Sequence, residues 1–394
     1  MKKGARMLDN PDLSLNGDYY SSRFSQLSRG EGDTLVLNLG PQHPSTHGVL
    51  RVIVELDGEY VLRAEPVLGY IHRMHEKMGE VKTYVQYLPN MGRVDYLHAL
   101  AWNWAYVGAV EKLMGIEVPS RAEYIRVITC ELNRISSHLL WWGAYVLDLG
   151  GFTPILYAFD DREIIMDILQ LPTGSRLTYC YYRFGGVSAD LTDTFLNQTR
   201  NFIERFKTRI PMYHDLVTGN MILRGRCEDI GILPVEMARR YGATGPVLRG
   251  SGVAYDVRRF EPYSVYEHLD FDIPVGKNGD AMDRYDVRLA EMEQSIRIIE
   301  QALNQIPDGP YINSDVPDRI MPPAGETYFA VEGARGKIGV YLVSDGSAKP
   351  YRLKLRAPGY SNLHVFAELA QGTILADAVS ILGSLDLVIP EIDR

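Results

Sequence analysis

Residues 121–149 read RAEYIRVITCELNRISSHLLWWGAYVLDL. Pro119 and Ser120 supply a helix start in front of this run, and Gly150, Gly151 and Pro154 break the chain behind it. Most of its positions are apolar, yet Glu131, Arg134 and His138 recur at spacings of three and four, which makes them neighbours on one helical face. A buried charge left alone costs several kcal/mol, roughly, so these groups read as an ion-pair stripe. Between Leu139 and Phe159 the single charge is Asp148, over a length that would suffice to cross a bilayer. The glycine pair and Pro154 interrupt that stretch, and neither half is long enough alone. The run is therefore a core helix ending at Gly150.

On either side of that helix the pattern changes. Asp95 to Met114 reads as one helix closed by Gly115, and further helical patterns cover 155–170, 190–217, 234–241 and 283–305. Towards the N-terminus, Thr34–Leu39 and Val49–Leu56 read as strands, and Asp57-Gly58 turns the chain into a hairpin with Glu59–Glu65. Towards the C-terminus, Thr327–Glu332, Lys337–Val343 and Tyr351–Arg356 alternate like strands, and two short helical runs follow, Leu363–Ala370 and Ile374–Leu382. The fold class is α+β, a large helical-bundle core with N-terminal and C-terminal β-sheet portions. We divide the chain into an extension (1–33), a hairpin region with a histidine loop (34–68), a helical core (69–310) and a β-rich region with terminal helices (311–394).

The composition is that of globular material, 46% hydrophobic and 23% charged, with a net charge of −9. No basic field is available to attract nucleic acid, so neither DNA nor RNA is expected as a partner. Cys130, Cys180 and Cys227 are far apart and form no CxxC pair, which fits a reducing compartment. Residues 1–32 are polar and lack the apolar core of a signal peptide.

Candidate functional groups lie around the long helix. Gly40-Pro41-Gln42-His43-Pro44-Ser45-Thr46-His47-Gly48 places two imidazoles on a loop between strands, where they titrate near neutral pH unaided. Asp148 ends the long helix, where a carboxylate opposes the macrodipole, and a protonated histidine from this loop would suit it. Arg93-Val94-Asp95-Tyr96 opens the preceding helix, with Asp95 as a cap or first-turn acid. His72 and His75 add ligand-like spacings, but there is no H-E-x-x-H pattern and no metal is assigned.

Ordered motifs from Leu35 to Arg394 carry a resemblance. They are the histidine loop, Gly69-Tyr70-Ile71-His72-Arg73 with Glu76-Lys77, Arg93-Val94-Asp95-Tyr96, Gly250-Ser251-Gly252-Val253, Asp272-Ile273-Pro274-Val275-Gly276, Asp283-Arg284-Tyr285 and Tyr341-Leu342-Val343-Ser344-Asp345-Gly346. With them the chain resembles the D-subunit family of NADH-quinone oxidoreductase, respiratory complex I. That family is itself similar to the large subunit of nickel-iron hydrogenases, whose metals need two CxxC pairs that are missing here.

The resemblance implies a cavity that takes a quinone headgroup in place of metal. His47 and Tyr96 would hydrogen-bond its two carbonyls, His43 would line it, and Asp148 would pair with His47. His47, Tyr96 and Asp148 would be the catalytic set. It further implies that this chain binds no cofactor alone, and that a 4Fe-4S cluster on an adjacent subunit faces Arg73, Arg176 and Thr178. Expected partners are C-, B- and I-type subunits of a peripheral arm, H- and A-type subunits of a membrane arm, and quinone. The location implied is a peripheral one on the cytoplasmic side of the cell membrane, or the matrix side in an organelle. The rival reading is a non-catalytic scaffold subunit of a related membrane oxidoreductase, hydrogenase-like or ferredoxin-fed. The chain departs from the family at Met74 (usually glycine), Gly92 (usually aspartate) and Thr178 (commonly histidine beside the cluster).

Overall fold

The computed structural model describes residues 34–42 and 48–394. His43, His47 and the extension at 1–33 lie outside the described residues.

Strands β1 (Leu35–Leu39), β2 (Arg51–Asp57) and β3 (Tyr60–Val67) form an antiparallel sheet in sequence order. The hairpin turns through Gly58 at φ +60°, a left-handed position that suits glycine. Helices α1 (His75–Val81), α2 (Tyr84–Met91), α3 (Ala99–Met114), α4 (Ser120–Asp148) and α5 (Thr153–Thr173) follow. The first two have no counterpart in the sequence reading. Thr83 and Gln86 start α2 with a reciprocal capping box. A short ladder, β4 (Tyr182–Arg183) with β5 (Gly186–Val187), precedes α6 (Asp193–Tyr213), α7 (Val235–Tyr241) and α8 (Ala281–Gln305). The C-terminal sheet is β6 (Gly325–Gly333), β7 (Gly336–Ser344) and β8 (Arg352–Arg356), antiparallel and in order. It is followed by α9 (Pro358–Leu369), α10 (Leu375–Ser384) and α11 (Ile389–Asp393). The class is α+β, as the sequence predicts.

Helix α4 is the axis of the molecule and packs most extensively on α5 and α8. All four tryptophans of the chain, Trp102, Trp104, Trp141 and Trp142, are buried on α3 and α4. Helix α3 lies so closely on the C-terminal sheet that a Cβ at Gly108 would collide with the Phe329 ring. A second apolar cluster joins the two ends of the chain: Leu50, Val52 and Val54 pack with Leu363, Phe366, Ile381 and Ile389. The N-terminal sheet and the terminal helices thus share one core.

Two features of the described chain refine the sequence reading. The apolar stretch 139–159 is divided between α4 and α5 by a break at 149–152, and among the described residues no helix is long and apolar enough to cross a membrane. The helix expected from Asp95 starts at Ala99 instead. The Asp95 carboxylate accepts the main-chain N–H groups of Leu97 (2.9 Å) and His98 (3.2 Å), holding a bend in front of the helix.

Candidate functional site

Tyr96 sits on that bend, about a third exposed (36%), while its neighbour Asp95 is buried at 1%. A buried carboxylate needs a cation, and it comes from far along the chain. Arg335, in the turn between β6 and β7, donates from one Nη to Asp95 at 2.9 Å and from the other to Ser137 and Asp386, both at 3.2 Å. Arg288 approaches the second carboxylate oxygen of Asp386 at 3.8 Å and lies over the Trp141 ring at 4.1 Å. The same turn holds His98: the Ala334 N–H donates to Nδ1 at 2.8 Å, so Nε2 carries the proton and donates to the Cys130 carbonyl at 3.2 Å. Burial keeps that imidazole neutral, well below its ordinary pKa.

The turn is seated main chain against main chain. A Cβ at Gly245 (φ +68°) would run into the Arg335 carbonyl oxygen, so only glycine allows the contact. Tyr96 is therefore presented by a bend whose two anchors, Asp95 and His98, are both tied to one fixed turn. Burial, followed by the nearby Asp95 charge, raises the Tyr96 phenol pKa, which keeps its proton on the oxygen at neutral pH.

Asp148 is half-buried at the last residue of α4. A Cβ on Gly383 would lie 3.6 Å from its carboxylate oxygen. The Gly383 carbonyl accepts from Trp141 Nε1 at 2.8 Å and from the Asp386 N–H at 3.2 Å. Gly48, the residue after His47, rests on the same segment, since its Cβ would meet the Ile389 side chain at 3.3 Å. Residues 383–391 thus form a seam touched by Asp148, by the end of the histidine loop, and by the Arg335 clamp behind Tyr96. The regions of Tyr96 and Asp148 come together here, although they lie on different elements. Glu391, on the same seam, is pushed up to about 8 by burial and then by the Asp95 charge; it accepts from the Gly359 N–H at 2.9 Å.

The ion stripe of α4 continues inward. Arg134 pairs with Glu131 at 3.0 Å and His138 bonds Glu291 at 3.0 Å. Arg258 joins Glu131 to Asp256, and Arg249 joins Glu291 to Glu332. These groups pair with one another in the core, and His138 is a member of the network, although Arg134 Nη1 and His138 Nδ1 find no hydrogen-bond partner among the described residues.

A family model described as respiratory-chain NADH dehydrogenase, 49 Kd subunit, matches residues 148–394. The chain is 60% identical to the D-type subunit of the NADH-quinone oxidoreductase of Syntrophobacter fumaroxidans, over 91% of its length and 96% of that protein. It is 61% identical to the same subunit of Desulfotalea psychrophila over 92% and 97%, and 49% identical to that of Geobacillus thermodenitrificans over 92% and 99%.

The chain belongs to the 49-kDa subunit family of respiratory-chain NADH dehydrogenase.

The remaining residues expected from that family's pattern form a second face. Arg73 donates to the Arg93 carbonyl at 2.9 Å, while Arg176 bonds Glu163 and Asp167. Met74 (φ 53°) and Thr178 (φ 43°) both adopt left-handed backbone, which is uncommon for any residue with a Cβ and more so for a β-branched one. Gly92 joins the two loops, because its Cβ would fall 2.6 Å from the Tyr179 carbonyl oxygen. An aspartate, usual in this family at Gly92, would need these loops further apart. Sequence reasoning missed Arg335, which reads as a turn residue, and Asp386. The latter carried a signal: in ILGSLDLVIP (381–390) it is the single charge, the same oddity that singled out Asp148.

Proposed function

We propose that this chain forms the quinone-reduction site of a proton-translocating NADH:quinone oxidoreductase, receiving electrons from an iron–sulfur cluster on a neighbouring subunit. The observation that carries the reading is the clamped Tyr96: a partly exposed phenol on a bend held by Arg335, beside the seam that reaches Asp148 and Gly48. Reduction of a quinone to a quinol takes two electrons and two protons. The Tyr96 hydroxyl donates a hydrogen bond to one carbonyl and its proton as negative charge grows there. His47 serves the other carbonyl, with Asp148 favouring its imidazolium form. His43 lines the same loop. Arg335, tied to Asp95, tempers the phenolate left on Tyr96. Arg73, Arg176 and Thr178 face the donor cluster, and this chain contributes residues to the electron path without a cofactor of its own. Its position is peripheral, between cluster-bearing subunits and membrane subunits, on the cytoplasmic or matrix side.

The test is Tyr96→Phe in the assembled complex. Quinone reductase activity is expected to fall about a hundredfold, in the range for loss of a positioned proton donor, while all subunits stay associated. Full activity with intact assembly would leave a scaffold role only.

A further inference from the structure

Glu391 on α11 is fully buried, and its two carboxyl oxygens accept from the Gly359 N–H at 2.9 Å and from Trp102 Nε1 at 3.4 Å. The fit is close, since a Cβ at Gly359 would collide with the nearer oxygen. Among the described residues, no cation stands within ion-pairing distance of it. Arg335 acts on it through space, but the Nη groups of that arginine are given to Asp95, Ser137 and Asp386. Arg288 approaches Asp386 instead, at 3.8 Å. Asp95, Asp386 and Glu391 all act on Arg335. Three buried carboxyl groups thus share two guanidiniums, and Glu391 is the one left with N–H donors alone.

A third buried charge against two cations is costly, so the cluster is balanced with one proton aboard. Burial, then the Asp95 charge, places that proton on Glu391 up to about pH 8, outweighing the two N–H donors that favour the anion. The other groups around α11 are engaged. Arg356 on β8 feels Glu391 only through space and bonds Thr244 and the carbonyls of Gly242 and Lys337. On the same helix, the Asp393 carboxylate accepts from the Gly69 and Ile71 N–H groups, and His72 bonds its carbonyl. On α9, beside Gly359, Tyr360 packs against His364 and Arg394. Tyr96 feels the same cluster, because Asp95, Arg335 and Asp386 all act on its phenol.

We infer that Glu391 is a positioning residue for proton donation by Tyr96: as the neutral acid it leaves the Arg335 charge to Asp95 and to the phenolate forming on Tyr96, and once ionised it takes that charge away. The inference rests on the proposed role of Tyr96 in quinone reduction. In that step the phenol O–H bond breaks, the proton goes to the quinone oxygen, and the electron pair stays on the Tyr96 oxygen. The reducing electrons come from the neighbouring cluster. Glu391 only exchanges its proton with water and is not consumed.

The experiment compares the intact complex with the same complex carrying Glu391→Gln or Asp95→Asn. Quinone reductase kcat and KM are measured from roughly pH 6 to 9, and the infrared carbonyl band of protonated carboxyl groups is titrated alongside. The parent should lose kcat as pH rises through about 8, by about tenfold one unit further up, as a single ionisation requires. KM should move less. Glu391→Gln should abolish that alkaline fall and remove one acid band that titrates in the parent. Asp95→Asn should move the band's titration to lower pH, because the neighbouring negative charge is gone. An alkaline fall of the same size in Glu391→Gln overturns the inference. Should that variant not assemble, a parent without an acid band titrating near pH 8, or a band that stays put in Asp95→Asn, overturns it equally. A fully active Tyr96→Phe would remove the quinone reading yet leave the infrared titration intact. An unchanged Glu391→Gln profile beside an inactive Tyr96→Phe removes only the present inference, so the two failures are separable.

Discussion

Replacing Arg335 by methionine removes the one cation bonded to both Asp95 and Asp386. The guanidinium is 1% exposed and makes bonds of 2.9, 3.2 and 3.2 Å to Asp95, Ser137 and Asp386. Methionine fills similar volume, so the cavity contribution is small and the electrostatic one dominates. Asp386 keeps Arg288 at 3.8 Å, whereas Asp95 keeps only the Leu97 and His98 N–H groups. Breaking a buried pair from one side costs about 3–5 kcal/mol, and the value here should fall in that range because Asp95 loses its single bonded cation. Unfolding of the purified protein in urea, followed by tryptophan fluorescence, reads it directly, since Trp141 lies against the same clamp. Asp95→Asn alone should cost less, and adding it to Arg335→Met should recover about 1–2 kcal/mol, because the stranded charge is gone. Arg335→Met within about 1 kcal/mol of the parent, or a double variant that is simply additive, would refute the clamp as the support of Tyr96.

Other outcomes follow from single groups. Glu391 has its folded pKa raised to about 8 by burial, so the folded state holds this proton through a window in which the unfolded state has lost it. Stability should therefore fall as pH rises from about 4.5 to 8, and Glu391→Gln should flatten that slope in a pH series of urea midpoints. His75 is lowered to about 4, first by burial and then by Arg73, and neither ring nitrogen has a partner. Its contribution is lost as pH falls from 6.5 through about 4, and His75→Phe should remove that acid sensitivity while stabilising at pH 5 by roughly 1 kcal/mol. Thr178 holds a left-handed φ of 43°, so Thr178→Gly should stabilise by about 1 kcal/mol in thermal unfolding, and no gain would remove the strain. Threonine does not titrate, so the midpoint potential of the iron–sulfur cluster proposed to face Thr178 should be nearly flat between roughly pH 6 and 8, where an imidazole would impose a slope in a redox titration.

Periodicity and punctuation in the chain determined the long elements, whereas the short helices α1 and α2 were not read from them. Apolar spacing with the Pro119-Ser120 start and the Gly150-Gly151 stop delimits α4 within two residues, and Asp57-Gly58 marks the first hairpin. These signals are local: each depends on residues a few positions apart, where side-chain direction follows from the backbone period. The presence of a lone carboxylate in an apolar run, Asp148, was equally legible. The clamp was not, because Asp95, Arg335 and Asp386 are bonded across separations of 240 and 51 residues, and no pattern in either segment specifies its partner. The start of α3 moved from Asp95 to Ala99 for the same reason, as the carboxylate satisfies a bend and an arginine from the opposite end of the chain. Local sequence decides which elements form. The pairing of buried charges is settled only when packing removes water and leaves each ion the neighbours that the tertiary fold has brought to it.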